Sequence, residues 1–170
     1  GRILIGDKDV TDVPPKNRDI AMVFQNYALY PHMSVRENMG FALKIAGVSK
    51  EKINQRVEEA ARILDLEPYL DRKPKALSGG QRQRVAIARA LSIGPDAIIA
   101  DEPTSALDVS VRAQILNLLT DLKKELGLAM VFISHDIQTV RYVSDRIAVM
   151  NGGKVVEEGP AAQLLADPED

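Results

Sequence analysis

The chain has 170 residues, enough for one ordinary domain with a buried core. Apolar residues at 45% and charged residues at 27% are those of a soluble globular protein, and a net charge of −2 gives no field that would draw it onto nucleic acid. Cysteine is absent, which excludes disulfides and thiolate metal sites, and no apolar run approaches the roughly 18 residues of a membrane span, so any membrane role must come through a partner.

The opening Arg2-Ile3-Leu4-Ile5 predicts a short strand stopped by a turn at Gly6-Asp7, and Val13-Pro14-Pro15 predicts a loop. Ile20 to Phe24 is a short apolar run suited to a buried strand, followed by a loop from Gln25 to Pro31 that carries Tyr27 and Tyr30. Ser34-x-x-Glu37 has capping-box spacing and opens a helix from Val35 to about Ile45, ended near Gly47. A second helix runs from about Lys50 to Leu64, with Ile53, Val57, Ala60, Ala61 and Leu64 on one stripe. Pro68 and Pro74 bound a connector before a third helix, Gly80 to Ser92.

Beyond Gly94-Pro95, strands and helices alternate. Strands are expected at Ala97–Asp101, Ala129–Ser134 and Arg146–Met150, with helices at Val109–Leu126 and Asp136–Val143 between them. The longer helix turns Val111, Ile115, Leu118, Leu119 and Leu122 inward and ends at Gly127. A hairpin turn at Asn151-Gly152 leads into a returning strand, Lys154–Glu158, and Pro160 stands at the first position of a last helix, Ala161–Ala166. The order describes an α/β sheet interrupted by an all-helical subdomain at about residues 32–93.

Two stretches carry chemistry. Ser78-x-x-Gln81 repeats the capping-box spacing, so Leu77-Ser78-Gly79-Gly80-Gln81 is a helix start whose outward N–H groups and dipole favour an anion. Each glycine in that turn costs about 1 kcal/mol against alanine, which a cap alone would not require, and their missing side chains let a phosphate approach. The plainer alternative is a capped helix with no ligand. Further on, an apolar stretch ends in Asp101-Glu102, paired carboxylates at the strand end where open α/β sheets place ligands. They fit a metal-holding acid beside a water-activating one, or else a solvated loop acid and a helix cap. His135, in Ser134-His135-Asp136, also follows a strand and could donate to a phosphoryl oxygen, or could lie on the surface with Asp136 starting the next helix. His32, between Pro31 and Met33, has no acid partner and receives no role. Arg82, Arg84 and Arg89 share one helix and read as a solvated basic face.

Taken in order, Leu77-Ser78-Gly79-Gly80-Gln81, the strand ending Asp101-Glu102-Pro103, Ser105-Ala106-Leu107-Asp108 and Ser134-His135-Asp136 resemble the signature, Walker B, D-loop and H-loop of the ATP-binding-cassette (ABC) ATPases, and Gln25 matches the Q-loop glutamine. The resemblance covers nearly the whole chain. It implies an α/β, P-loop NTPase-like fold with a parallel-sheet core and an all-helical insert, divided into residues 1–31 (sheet and Q-loop), 32–93 (helical subdomain) and 94–170 (α/β core). It implies ATP and Mg²⁺, with Asp101 and Gln25 near the metal, Glu102 as the base and His135 at the γ-phosphate. It places Ser78, Gly79, Gly80 and Gln81 at the nucleotide of a second ATPase subunit in a head-to-tail dimer. Asp108 would cap the long helix, contact that subunit, or both, while Gln25 taken alone reads better as an exposed loop amide.

The implied partners are transmembrane permease subunits and, indirectly, a solute-binding protein, at the cytoplasmic face of the membrane and without nucleic acid. Asn26 through Leu77 looks like the ATPases of sugar and glycerol-phosphate importers, and Ala97 through Pro168 like those of di- and oligopeptide importers. Carbohydrate import is the favoured expectation. The alternatives are a peptide importer, a non-transport ABC ATPase, and a non-catalytic fragment or hybrid. Gly-x-x-x-x-Gly-Lys-Ser/Thr does not occur, so the expectation is a fragment of a longer ATPase that neither binds ATP tightly nor hydrolyses it alone.

Overall fold

A computed structural model describes residues 1–166. The last four residues of the expected 94–170 segment, Pro168 among them, lie outside the described residues. Strands β1 (Leu4–Ile5) and β2 (Lys8–Asp9) pair antiparallel across the Gly6-Asp7 turn, so the single expected opening strand is a minimal hairpin. Strand β3 (Ile20–Val23) follows a short 3₁₀ turn at Pro15–Asn17.

Three helices come next. Helix α1 (Val35–Ile45) opens on Ser34, whose hydroxyl accepts from Glu37 N–H at 3.1 Å while the Glu37 carboxylate accepts from Ser34 N–H at 2.7 Å. That reciprocal cap holds the Glu37 carboxyl below the usual carboxylate range, the Ser34 backbone N–H contributing most. Helix α2 (Lys50–Ile63) buries Val57, Ala60 and Ala61 and leaves its charged residues in water, with Ile53 only half-buried. Helix α3 (Gly79–Ser92) begins one residue earlier than expected and buries Val85, Ala86, Ile87, Ala88 and Ala90.

Strand β4 (Ala97–Asp101) and helix α4 (Val109–Leu126) have the expected bounds. Gly127 ends α4 in the left-handed conformation at φ 62°, the usual helix stop. The inward face of α4 is Ile115, Leu116, Leu119 and Leu122; Leu116 was not expected there, and Val111 and Leu118 are only partly buried. Strand β5 (Ala129–Ile133), helix α5 (Ile137–Val143), strands β6 (Arg146–Asn151) and β7 (Lys154–Pro160), and a single turn α6 (Ala161–Leu164) complete the described chain. Asn151 pairs with Lys154, so the two-residue turn is Gly152-Gly153 with φ of 56° and 77°, one residue later than expected. Pro160 closes β7 and stands just before α6 rather than inside it.

Three strands form a parallel sheet in the order β3-β4-β5, with Val23, Ala100 and Phe132 in one row. The pleat sends Ala21, Val23, Ile98 and Ala100 to one buried face, which joins Ile87 of α3 and Ile115 and Leu119 of α4 in a continuous core. The other face carries Met22, Val131 and Ile133, all exposed. This register fixes the site, because Gln25, Glu102 and Ser134 each follow that row by two residues, at the carboxyl edge of the sheet.

Candidate functional site

Central strand β4 ends at Asp101, and the chain turns sharply at Glu102, whose φ of 47° lies in the left-handed region. Such a backbone costs a non-glycine residue on the order of 1–3 kcal/mol and persists only where its surroundings over-determine it. Here they do. Glu102 N–H donates to Ile133 O at 2.9 Å, extending the β4–β5 ladder by one bond, and Ser105 returns its N–H and hydroxyl to Glu102 O at 3.3 and 3.0 Å. The carboxylate swings toward β5, where Oε1 accepts from His135 N–H at 3.0 Å and meets His135 Nδ1 at 2.8 Å. Two residues 33 positions apart are thus one unit.

The His135 ring is 82% exposed and the Glu102 side chain 22% exposed, so the pair sits at an open rim with the acid sheltered and the imidazole reaching out. The hydrogen bond from Glu102, and then its charge, raise His135 above its ordinary 6.5. Protonated imidazole therefore persists to higher pH than in an isolated histidine. The stability contribution of the pair is complete below pH 6.5 and is lost as pH rises through the raised value. In a Glu102→Gln variant His135 should titrate closer to 6.5, which proton NMR can follow because His32 is the only other histidine. An unmoved titration would separate the two residues.

Asp136 does start the next helix. It accepts from Gln138 N–H at 3.0 Å and from the Thr139 hydroxyl at 2.8 Å, which keeps its carboxyl below the ordinary value, the Thr139 bond contributing most. Asp108 occupies the N-cap position of α4, and Arg112 N–H donates to its carbonyl at 2.8 Å, but its side chain makes no capping bond. The capping role expected of that carboxylate is not realised, since the α4 start is held through the backbone and the side chain stays in solvent.

The α3 turn has the expected reciprocal cap: Gln81 N–H donates to Ser78 Oγ at 3.2 Å and Ser78 N–H donates to Gln81 Oε1 at 2.9 Å. Its glycines, however, have a reason inside the subunit. A Cβ on Gly80 would lie 2.7 Å from Val111 Cγ1, and one on Gly79 would lie 3.2 Å from the Tyr27 hydroxyl and 3.4 Å from Leu107 Cδ2. Packing within the subunit therefore accounts for glycines that a cap alone would not require: the turn is pressed against α4 and the loop before it. Gly80→Ala gains about 1 kcal/mol of helix propensity yet forces an overlap costing roughly 1–3 kcal/mol, so the urea midpoint should fall. In a Val111→Ala background the same change should raise it, and failure to reverse would remove Val111 as the cause.

Gln25 is exposed in the turn that follows β3. That loop is held by Arg89 and Asn38. Arg89 Nη1 and Nη2 donate to the carbonyls of Ala28 and Tyr27 at 2.6 and 3.0 Å, where both residues have left-handed backbones. Fully buried Asn38 accepts from Tyr30 N–H at 2.8 Å and donates to the carbonyls of Tyr30, Met33 and Ser34 at 3.1, 3.2 and 3.0 Å. Arg82 Nε donates to Pro74 O at 2.9 Å and Arg84 Nη1 to Leu64 O at 3.3 Å. The expected solvated basic face is thus a row of half-buried clamps on carbonyl oxygens.

At the sheet edge the oxygen donors are few: Asp101 shares the open face with Ile99 and Ile133, and no cluster of three or more His, Cys, Asp or Glu residues able to hold a metal occurs among the described residues. One or two oxygen ligands suit an Mg²⁺ that arrives with phosphate and keeps most of its water. They do not suit a resident metal cage.

The profile of the family described as "ABC transporter" matches residues 1–105. The chain belongs to the ABC transporter family. It is 60% identical over 153 residues to the diacetylchitobiose uptake system ATP-binding protein MsiK of Streptomyces coelicolor, covering 90% of this chain and 40% of that protein. It is 52% identical over 168 residues to the sn-glycerol-3-phosphate import ATP-binding protein UgpC of Ruegeria pomeroyi, covering 99% and 48%. Over all 170 residues it is 49% identical to the maltose/maltodextrin import ATP-binding protein MalK of Escherichia coli, 46% of whose length is covered. The chain spans about half the length of these ABC transporter relatives or less.

Among solved structures, cbiO1 from Clostridium perfringens, part of the ABC transporter complex cbiONQ, matches with a TM-score of 0.86 at 33% identity, over 98% of this chain and 68% of that one. The ATP-binding cassette MJ0796, a dimer in a post-hydrolysis state bound to ADP and Pi, matches with a TM-score of 0.78 at 36% identity, over 95% and 73%. The α/β cassette fold is that of the ABC transporter family.

Proposed function

We propose that this chain supplies the acid, histidine and signature turn of an ATP-hydrolysing subunit that powers a membrane importer. The observation that carries the reading is the Glu102–His135 pair, with one carboxylate oxygen 2.8 Å from the ring and 3.0 Å from the His135 amide, built on a left-handed residue at the end of the central strand. Because both bonds fall on Oε1, Oε2 is left to orient and deprotonate a water. Engagement of Nδ1 leaves Nε2 of the exposed ring to donate to a phosphoryl oxygen, and the raised affinity of the ring for a proton supports that donor form.

Mg²⁺, held by Asp101 and the Gln25 amide together with phosphate oxygens, would neutralise charge on the triphosphate. The reciprocal cap of Ser78 and Gln81 leaves the Gly79 and Gly80 N–H groups unused at the helix start, and these suit the terminal phosphate of a nucleotide held by a second subunit, with Asp108 at the same junction. Residues 1–31, 32–93 and 94–166 serve as sheet and Gln25 loop, helical subdomain and α/β core. No helix among the described residues is long and apolar enough to cross a membrane, so attachment to the cytoplasmic face runs through permease subunits, with a solute-binding protein behind them.

The solute is a carbohydrate. Relatives matched over the full 170 residues, back half included, are named for lactose transport and maltose import. The test is uptake of labelled di- and oligosaccharides by cells with and without the gene, alongside labelled dipeptides. Loss of saccharide uptake alone is expected; loss of dipeptide uptake alone would overturn the carbohydrate reading.

A further inference from the structure

Helix α3 sends an amide side chain into the core. Gln83 is fully buried, its Nε2 donates to the carbonyl oxygen of Pro103, and its equally buried Oε1 has no hydrogen-bond partner among the described residues. A half-satisfied amide is a poor choice for stability alone, because methionine would fill much the same space with no polar atom to desolvate. Its one bond falls on the carbonyl of Pro103, the residue directly after Glu102 with its left-handed backbone.

The turn at Glu102 has other anchors, but they come from β5 and from Ser105 within the turn itself. Gln83 ties it to α3, five residues after Ser78 and behind the glycines that press on Val111 and Leu107. We propose that Gln83 is a positioning residue that, from the signature helix, holds the Pro103 carbonyl and so fixes the turn that aims the Glu102 carboxylate at His135. The proposal rests on the reading of Glu102 as the base. Gln83 touches neither substrate nor metal and acts through the backbone alone. Releasing it lets the turn relax by a fraction of an ångström to an ångström, enough to cost up to about 10²-fold in a reaction that depends on orientation.

The test is Gln83→Met in the whole protein, compared with wild type and Glu102→Gln. The expected result is a thermal midpoint at or above wild type, an unchanged KM for MgATP, a kcat lower by about 10- to 10²-fold, and a His135 NMR titration displaced toward that seen in Glu102→Gln. A role in packing alone would not move that titration. Gln83→Glu is the second variant, since its protonated acid can still donate to the Pro103 carbonyl. It should keep more turnover at acid pH than Gln83→Met and lose the advantage as its carboxylate forms. Wild-type kcat together with an unmoved His135 titration in Gln83→Met overturns the proposal. So does a Gln83→Glu variant that follows the wild-type pH profile, which decides the matter if the methionine variant fails to fold. If Glu102→Gln itself turns over normally, the reading of Glu102 fails, and that result stands apart from the Gln83 variants.

Discussion

Glu102→Gln in the whole protein should leave ATP binding intact and lower turnover by on the order of 10²–10⁴-fold, the worth of a positioned general base. The substitution keeps the size of the side chain and one carbonyl oxygen, so the bonds from His135 N–H and from the ring can survive while proton acceptance is lost. The left-handed turn is held by Ile133, Ser105 and Gln83, none of which touches the carboxylate, so the fold should not notice the change. The check pairs steady-state phosphate release with equilibrium binding of MgATP. Normal turnover would remove Glu102 from the chemistry, and loss of binding would mean that the carboxylate serves the ground state.

The second large effect is structural. Ile87 is fully buried on α3 within the core shared by β3, β4 and α4, and its truncation to alanine should cost about 2–5 kcal/mol. Set against a total stability of roughly 5–15 kcal/mol, that is enough to unfold much of the population. Ile45→Ala makes the control, because that side chain is 71% exposed and its loss should change little. Urea titrations of the two variants should show a large drop in midpoint for the first and almost none for the second. Equal effects would mean that α3 is not anchored as described.

Local spacing made much of this molecule legible. Both capping boxes, at Ser34 and Ser78, form with the expected reciprocal bonds because donor and acceptor lie three residues apart. Strand β4 and helix α4 keep their expected bounds, since a run of apolar residues, a glycine and a change of period are all local signals. Glu102 and His135 could each be placed past a strand end, but their pairing at 2.8 Å could not, because it depends on β4 and β5 lying side by side in the parallel sheet.

What stayed illegible has partners far away in sequence. Arg89 reaches back 61 and 62 positions to the carbonyls of Ala28 and Tyr27, and Gln83 reaches 20 positions forward to Pro103. A carbonyl acceptor leaves no trace in residue identity, so an arginine on an apolar helix reads as solvated and a glutamine as merely polar. Asn38 carried a fainter signal, a polar residue between Val35 and Met39 on the buried face of α1. The glycines of the signature turn show the converse. Their identity was plain, but only the packed structure shows what they make room for.

The most direct measurement is a structure of the Glu102→Gln protein with bound MgATP. The expected result is a terminal phosphoryl group within hydrogen-bond reach, roughly 2.6–3.2 Å, of His135 Nε2 of one subunit and of the Ser78 turn of the other, with a water between it and residue 102. A nucleotide bound away from the carboxyl edge of the β3-β4-β5 sheet, or a Ser78 turn facing only solvent in that state, would contradict it.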